Sequence, residues 1–404
     1  MKRITILTIC VYVFTLTQSQ NSGYSKVNEN TNVTWYKFTT TDGLPSNAIK
    51  DILFDKDGLL WIATTSGVSK YNGTTFQNYT TTDGLHSNAI GRLYCDNLNR
   101  IWAIGDYSSP GLSIYNGTWQ AFNKNSSVPK PGFLFQDADS NIYITEGEGK
   151  IYKYNGTQVD SLLQAPDKRI SSALVDQNGI MWVVSGEKLL KYNSSTLLET
   201  KILTSNGVGS TYIIEKDKLG KLWIIMGNSL YKSDDLSTFS LLGTTTSNYY
   251  MDIAFDSNNN TFLARYSKAS GGIKTYNGTT WGEYTGSNGL TSVTVQSVAV
   301  APNDKVWAGA DDGLYYSNEV LTSVQNINQS QLNLFPNPAT TQFSIKGNTG
   351  IASVLVSDLT AKTFIQKKII GSESIDITSL PKGIYLTKII TKDAQSENRI
   401  LIKQ

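Results

Sequence analysis

Asp55-Lys-Asp-Gly-Leu-Leu-Trp61 is the first of seven copies of one short pattern, an Asp-led turn followed by a strand that begins near an aromatic residue. Successive copies start 41, 41, 39, 41, 39 and 45 residues apart. The later copies are Asp96…Trp102, Asp137…Tyr143, Asp176…Trp182, Asp217…Trp223, Asp256…Phe262 and Ala301…Trp307, the last without its Asp. A fixed period near forty residues with strand-like content predicts one supersecondary unit repeated around an axis.

The first repeat reads as four antiparallel strands joined by tight turns. The strand-like runs are 48–54, 60–64, 68–71 and 75–80. Asp55 leads the first turn, where an Asp side chain can cap its own backbone, and Asn72-Gly73 is a strong two-residue hairpin signal. Four such strands make one propeller blade. We therefore predict an all-β fold with a seven-bladed β-propeller over residues 35–320.

The seventh repeat has three clear strands but no comparable fourth strand after Tyr316. The pattern Thr34-Trp35-x-x-Phe38, ahead of the first repeat, matches the outer strand Thr118-Trp119-x-x-Phe122 of the second. We expect the N-terminal strand from Trp35 to Thr39 to close the last blade, because pairing the two chain ends removes an open sheet edge. The alternative is that residues 319–324 supply this strand.

The first twenty residues read as a secretory signal peptide, with Lys2 and Arg3 ahead of an apolar stretch from Ile4 to Leu16. That stretch is too short to span a bilayer, so we expect cleavage near residue 20 and no transmembrane segment in the mature chain. Residues 21–34 form an N-terminal lead. Without Lys2 and Arg3 the chain has 33 basic and 33 acidic residues, and this balance argues against nucleic acid as a partner. Cys95 is the single cysteine beyond the signal, which excludes an internal disulfide.

The repeat pattern stops before residue 321. Residues 321–331 are polar and read as a linker. Residues 332–404 hold seven short strand-like runs, which predicts a small C-terminal β-sandwich.

Two sets of motifs resemble known families. Asp42-Gly-Leu-Pro-Ser-Asn47 and Asp83-Gly-Leu-His-Ser-Asn88, read with the Asp-led turns, resemble the two-component-regulator propeller repeat, which occurs in sensors of hybrid histidine kinases and in secreted bacterial proteins. Leu334-Phe-Pro-Asn-Pro-Ala339 and Asp376…Tyr385 resemble the type IX (Por) secretion C-terminal sorting domain of Bacteroidota. The second resemblance implies that the type IX machinery recognises residues 332–404. It also implies a secreted protein, at the outer-membrane surface or extracellular.

The residues offer little sign of catalysis. His86 is the only histidine, so a histidine-based triad and a multi-histidine metal site are excluded. The Asp-rich turns read as backbone caps rather than calcium loops, because the bidentate Glu of such a loop is missing. The recurring Trp and Tyr residues read as packing between blades. We therefore expect no catalytic residue, no metal and no cofactor.

A ligand site is sought where the loops depart from the repeat, since function concentrates on loops held by a rigid scaffold. The weak candidates for ligand contact are Tyr107, Lys130, Tyr249, Arg265 and Tyr266, all on connections expected at one face of the disc. The favoured hypothesis is a non-catalytic surface propeller that binds a glycan, peptide or protein. The alternatives are a lyase or hydrolase that uses carboxylates, Tyr or Arg, and a structural spacer. Two inward-facing carboxylates at the centre would favour the enzyme.

Overall fold

The computed structural model describes residues 25–26, 33–122, 128–203, 212–244, 249–267, 271–286, 289–292, 294–321, 333–346, 351–358, 362–368, 373–391 and 396–404. The predicted signal peptide and nearly all of the predicted linker lie outside these ranges. The chain divides into two compact units, Met1–Ser323 and Val324–Gln404. Across the described ranges, no helix has the length and apolar character needed to cross a membrane.

The first unit consists of seven antiparallel sheets, which we number as blades in chain order. Two strands precede blade one: β1 (Ser25–Lys26) and β2 (Trp35–Phe38). Blade one contains β3 (Ile49–Phe54), β4 (Leu60–Thr64), β5 (Gly67–Tyr71) and β6 (Phe76–Tyr79). Blade two contains β7 (Ile90–Cys95), β8 (Ile101–Gly105), β9 (Leu112–Tyr115) and β10 (Trp119–Ala121). Blade three contains β11 (Pro131–Gln136), β12 (Ile142–Glu146), β13 (Lys150–Tyr154) and β14 (Val159–Gln164).

The remaining blades follow the same strand order. Blade four contains β15 (Ser172–Val175), β16 (Met181–Ser185), β17 (Lys188–Asn193) and β18 (Thr196–Ile202). Blade five contains β19 (Tyr212–Lys216), β20 (Leu222–Met226), β21 (Ser229–Ser233) and β22 (Ser240–Thr244). Blade six contains β23 (Tyr249–Phe255), β24 (Thr261–Tyr266), β25 (Gly272–Tyr276) and β26 (Trp281–Tyr284). Blade seven contributes β27 (Val295–Val300), β28 (Lys305–Ala310) and β29 (Gly313–Val320).

The N-terminal strand closes the ring, as predicted. Strand β2 pairs antiparallel with β29, with Trp35 opposite Ser317 and Phe38 opposite Leu314. The lead segment adds a feature that the sequence did not predict, because β1 pairs with β2 as a fifth, outermost strand. Residues 319 and 320, part of the alternative closing segment, instead extend β29.

Six of the seven turns are held by one carboxylate, which in blades one to five also accepts a hydrogen bond from the aromatic side chain of the next strand. In blade one, Asp55 Oδ1 accepts hydrogen bonds from the backbone N–H groups of Asp57 (3.0 Å) and Leu59 (2.8 Å). Its Oδ2 accepts the indole N–H of Trp61 at 2.8 Å. The same indole bond joins Asp96 to Trp102 at 2.9 Å and Asp217 to Trp223 at 3.0 Å. The spacing of six residues therefore fixes a buried tryptophan to its own turn.

The seven interfaces between neighbouring blades each contain one hydrophobic cluster. Between blades one and two, Trp61 packs against Tyr115 and Trp119 with ring centroids 4.9 and 5.9 Å apart. This confirms that the repeated aromatic residues fill the gap between blades.

The Thr-Asp-Gly-Leu phrase before blades one and two forms a short capped turn. The 3-10 helices are Thr40–Asp42 and Thr81–Asp83. Thr39 and Asp42 form a reciprocal capping box at the first turn, and Gly43 follows at φ 111°. At the second turn, a Cβ on Gly84 would lie 2.2 Å from the carbonyl oxygen of Trp119, so only glycine fits there.

The C-terminal unit consists of two antiparallel sheets. One contains β30 (Asn333–Phe335), β31 (Gln342–Lys346) and β34 (Ser374–Asp376). The other contains β32 (Ile351–Ser357), β33 (Thr363–Lys368), β35 (Gly383–Thr391) and β36 (Ser396–Lys403). Phe343 and Ile375 from the first sheet share a buried cluster with Val354, Ile389 and Leu401 from the second. The two sheets of this unit therefore share one hydrophobic core, and the sandwich stays a prediction.

We expect Asp176→Ala to lower the free energy of unfolding by about 2–4 kcal/mol, because it strands several buried donors. Asp176 accepts from the backbone N–H groups of Asn178 and Ile180 and from the indole N–H of Trp182. Asp176→Asn keeps one oxygen for the turn and should cost about half as much. Urea unfolding measures both. Exposed Asp160 is the control, since Asp160→Ala should cost under about 0.5 kcal/mol. Equal stability of Asp176→Ala and the wild type would refute this role.

Candidate functional site

The innermost strands carry a ring of residues that we call the belt, each four positions before the leading residue of the Asp-led turn. Its members are Asp51, Arg92, Phe133, Ser172, Ile213, Asp252 and Ser297. In blades one, two, six and seven the register shifts by one residue just before the belt residue. Such bulges re-aim a side chain, and here they occur on the strands that surround the centre of the ring.

Four belt residues accept a hydrogen bond from the next blade. Asp51 Oδ2 accepts the backbone N–H of Leu93 at 2.8 Å, and Ser172 Oγ accepts that of Ile214 at 3.2 Å. Two further bonds continue the pattern, from Val298 N to Asp252 Oδ2 at 2.9 Å and from Ile52 N to Ser297 Oγ at 3.2 Å. The belt therefore links neighbouring blades at the centre of the ring.

Ser297 lies between two carboxyl groups. Its Oγ is 2.9 Å from Asp51 Oδ1 and 2.7 Å from Asp252 Oδ2. A hydroxyl has one hydrogen, so it donates to one carboxylate and accepts from the other only when that carboxyl carries a proton. Burial, followed by the charge of Asp51, raises the pKa of Asp252 to about 7. The bridge is therefore best satisfied with Asp252 protonated and Asp51 ionised.

A cavity of about 350 Å³ lies at this centre. Asp51, Asp252, Glu215 and Arg92 line it together with apolar side chains of the inner strands. Burial raises the pKa of Glu215, and burial also raises the pKa of Asp51 although the Arg92 charge opposes that rise. Within the described ranges, no cluster of three or more His, Cys, Asp or Glu side chains could hold a metal ion.

The chemistry open to these carboxyls is limited by their hydrogen bonds. Both oxygens of Asp51 accept backbone N–H groups, from Leu93 and from Ile52, whose N–H is shared with Ser297 Oγ. Both oxygens of Asp252 do the same, since Ile253 donates to Oδ1 at 2.8 Å and Val298 to Oδ2. Asp51 and Asp252 are the two central carboxyls that the enzyme hypothesis requires. Their oxygens, however, already accept backbone hydrogen bonds that link neighbouring blades.

Two of the predicted ligand residues lie on loops at one face. Tyr107 is 97% exposed on the expanded turn of blade two. Asp106 braces that turn, since its Oδ1 accepts the backbone N–H groups of Ser108 (2.9 Å) and Ser109 (3.1 Å). Lys130 has an exposed side chain, and its carbonyl accepts the N–H of Gly147 at 3.3 Å.

The other three candidates lie together on blade six but point in different directions. Tyr249 and Tyr266 are opposite each other in the strand register, and Arg265 is opposite Tyr250. Because successive side chains of a strand alternate between faces, Arg265 and Tyr266 serve different sides of the blade. Arg265 is only 5% exposed, so it does not lie on an open rim. The structure gives no direct contact between these three and Tyr107 or Lys130 among the residues that it describes. All five remain predictions as ligand contacts.

Sequence reasoning missed the belt. A usable signal existed, because the position four residues before each turn is polar or charged in five of the seven repeats, within otherwise apolar strands. The belt was not recognised because the residue type at this position is not constant: it changes from Asp to Arg, Ser, Phe and Ile around the ring.

We expect the stability of the propeller to fall as pH rises from about 4 to about 7. The folded state holds the Asp252 proton up to about pH 7, whereas the ordinary value is 3.8, so this stabilising contribution is lost as pH rises through the folded pKa. Buried Glu215 acts in the same direction. Asp252→Asn should reduce this pH dependence. Its baseline falls by about 1–3 kcal/mol, since the amide NH₂ must face a backbone N–H.

Urea unfolding at pH 5 and pH 8 tests this expectation. The control is Asp57→Asn, which alters an exposed carboxylate of the first turn and should keep the wild-type pH dependence. An Asp252→Asn variant with an undiminished difference between the two pH values would contradict the shared-proton description.

Solved structures with the same fold include proteins of different activity. A streptogramin B lyase has a TM-score of 0.58 at 15% identity, covering 73% of this chain and 97% of its own. The extracellular domain of BT3049 from B. thetaiotaomicron, described as a hybrid two-component system, has a TM-score of 0.58 at 16% identity and covers 89% of this chain. This chain spans 55% of that one. YCF48 bound to D1 peptide has a TM-score of 0.54 at 17% identity, covering 74% of this chain and 98% of its own. The TM-scores show that the fold is a propeller, and at these low sequence identities the similarity does not indicate the activity.

No curated protein sequence matches the chain significantly. Two family models do match parts of it. Residues 43–66 match the two component regulator propeller, and residues 333–403 match the secretion system C-terminal sorting domain. The first match covers the turn into blade one and its first two strands, and the second covers the strands of the C-terminal unit. The chain thus combines a β-propeller, of which residues 43–66 match the two component regulator propeller, with residues 333–403 that match a secretion system C-terminal sorting domain.

Proposed function

We propose that this protein is exported, attached at the cell surface, and there binds an extracellular glycan, peptide or protein without catalysing a reaction. The sorting domain implies secretion through the type IX machinery and supports surface attachment. Ligand binding rests on one observation, the fully exposed Tyr107 on a turn that Asp106 braces. A tyrosine has only two side-chain torsions, so it loses little conformational entropy when it meets a ligand, and the braced turn holds its backbone in place.

The enzyme is the second candidate, and one observation favours it. Asp252, with a pKa near 7, lies beside Ser297 and Asp51 at a cavity large enough for a small substrate group. A carboxyl of that pKa can donate a proton at neutral pH. We place this candidate second because both carboxyls already accept backbone hydrogen bonds from neighbouring blades.

A glycan and peptide array probed with the purified protein tests the binding function. We expect Tyr107→Ala to weaken binding of the array-selected ligand about tenfold or more, since exposed aromatic anchors dominate binding energy. Leu98→Ala is the matched control, because Leu98 is also exposed (63%) but lies on the Asp96 turn at the other end of the blade-two strands. Its affinity should stay within about twofold of the wild type. Equal affinities of the Tyr107→Ala and Leu98→Ala variants would refute ligand contact at Tyr107. An array on which no ligand binds would favour the alternative that the protein is a structural spacer.

Export is tested separately in the source bacterium. Deletion of residues 332–404 should leave the protein in the periplasm, protected from protease added to intact cells. Fusion of the same residues to an unrelated periplasmic protein should bring that protein to the surface. Normal surface display of the deleted chain would refute the role of the sorting domain.

A further inference from the structure

The outer edge of blade four is longer than that of any other blade and carries more exposed apolar side chains. Its outermost strand, β18 (Thr196–Ile202), contains seven residues, and β17 is its one partner among the described strands. The side chains of Leu197, Leu198 and Ile202 are 42%, 52% and 70% exposed. An uncovered strand edge of this kind presents unpaired N–H and C=O groups to another strand.

The outer edges of the other blades are less suited to pairing. In blades one, two and six the outer strand has only three or four residues. In blade seven β1 covers β2, and in blade five Gly243 interrupts the short strand β22. In blade three the exposed Asp160 is the one charged residue of β14. Short, covered, glycine-containing or singly charged edges resist association, so β18 is the exception.

The sequence of β18 is its own complement in an antiparallel pair. The strand reads Thr196-Leu-Leu-Glu-Thr-Lys-Ile202. A two-fold axis through Thr200 places Glu199 of each copy opposite Lys201 of the other. The same axis places Leu198 opposite Ile202. Because the axis repeats every contact, the arrangement contains two ion pairs and two apolar pairs, and both kinds of cross-strand pair are stabilising.

The exposure of the side chains agrees with this arrangement. Leu198, Thr200 and Ile202 are exposed, whereas the intervening Glu199 and Lys201 are half-buried, because successive side chains of a strand alternate between faces. Within one copy, Lys201 Nζ lies 2.8 Å from Glu199 Oε1. In the pair the four charges alternate in sign around the axis. Each charge then has one opposite charge in its own strand and another across the axis.

A bulge limits the length of the pairing. Lys191 of β17 is opposite Glu199 and Tyr192 is opposite Leu197, so Leu198 has no partner in β17. A bulge bends its strand and increases the local twist. The regular pairing therefore covers five residues of each copy, 198–202. An interface of this size is typical of a weak and reversible dimer, with a dissociation constant on the order of 10–100 μM.

We propose that two copies of this protein associate through β18 of blade four, as an antiparallel strand pair with its two-fold axis at Thr200. The charge pattern selects a second copy of the chain over an unrelated strand, because Glu199 and Lys201 flank the axis with opposite signs. The association goes beyond the proposed ligand binding and does not depend on it. Attachment to a cell surface, as proposed above, would raise the effective concentration of such a weak pair.

Cysteine crosslinking tests the position of the axis. Thr200→Cys places two thiols opposite each other, where cross-strand Cβ atoms are about 4.5–5.5 Å apart, so oxidation by copper-phenanthroline should give a covalent dimer on a non-reducing gel. Thr196→Cys is the matched control, since position 196 is equally exposed but lies about 26 Å from its counterpart across the axis. The partly buried Cys95 is present in both variants. Equal yields of covalent dimer from the two variants would overturn the proposal.

A charge exchange tests the pairing itself, by sedimentation equilibrium of the mature full-length protein at low ionic strength. Lys201→Glu and Glu199→Lys each place like charges opposite each other, so each variant alone should dimerise about tenfold or more weakly than the wild type. An equimolar mixture of the two variants faces every carboxylate with a cation again and should dimerise about as well as the wild type. This recovery also shows that both variants fold.

Two results of the sedimentation measurement would overturn the inference. One is a wild-type protein that stays monomeric from about 1 to about 500 μM, well above the expected dissociation constant. The other is a mixture of Lys201→Glu and Glu199→Lys that associates no better than either variant alone. Neither result bears on ligand contact at Tyr107, so the proposed binding function is tested separately.

Discussion

The turn carboxylate that caps the backbone is the interaction that six of the seven blades share, and in four of them it also accepts the N–H of a buried indole. One oxygen of Asp55 caps two backbone N–H groups, and the other accepts the N–H of Trp61. The two bonds tie the turn to the tryptophan, and the carboxylate supplies a partner that makes burial of the indole N–H less costly. In blades one, two, four and five this bond therefore sets how deeply the tryptophan lies in the interface between blades.

Variation of this unit shows which part of it matters. Blade three keeps the carboxylate but uses a tyrosine, whose hydroxyl donates to Asp137 at 2.9 Å. Blade seven has Ala301 in place of the acid, yet the turn keeps its backbone bonds, from Ala301 N to Lys305 O at 2.9 Å and from Asp304 N to Ala301 O at 2.9 Å. Blade seven has a further support, because Phe38 from the N-terminal strand stacks on Trp307 with centroids 6.3 Å apart. Blade six keeps Asp256 but has Phe262, which has no donor, whereas blade seven, the blade that the N-terminal strand completes, lacks the carboxylate itself.

The centre of the ring and its loops have different roles in the structure. The belt holds neighbouring blades together where their strands are closest, and it does so with polar groups that would be costly if left unpaired. The loops that join the strands do not form these contacts between blades, so their length and sequence can differ from blade to blade. Blade six combines both roles, since Asp252 belongs to the belt and Arg265 lies near the loop end of the next strand.

Much of the fold followed from the sequence because its signals are local. The period of the Asp-led turns, the hairpin dipeptides and the repeated Trp35 pattern each involve residues a few positions apart, whose geometry the backbone dictates. The candidate site did not follow in the same way. Loop length marked Tyr107 correctly as exposed, but it also grouped Arg265 with open rim residues, although that side chain is buried.

The sequence by itself determined the number of repeats, the closing strand and the separate sorting domain, because each depends on short-range spacing and composition. Only the tertiary structure brought Asp51, Asp252 and Ser297 together, and only it buried Arg265 beside Lys274. Asp51 and Ser297 are separated by almost the whole ring in sequence and become neighbours when the chain closes on itself. Closure, and the burial that it imposes, decide which ionisable side chains become neighbours and which of them lose contact with solvent.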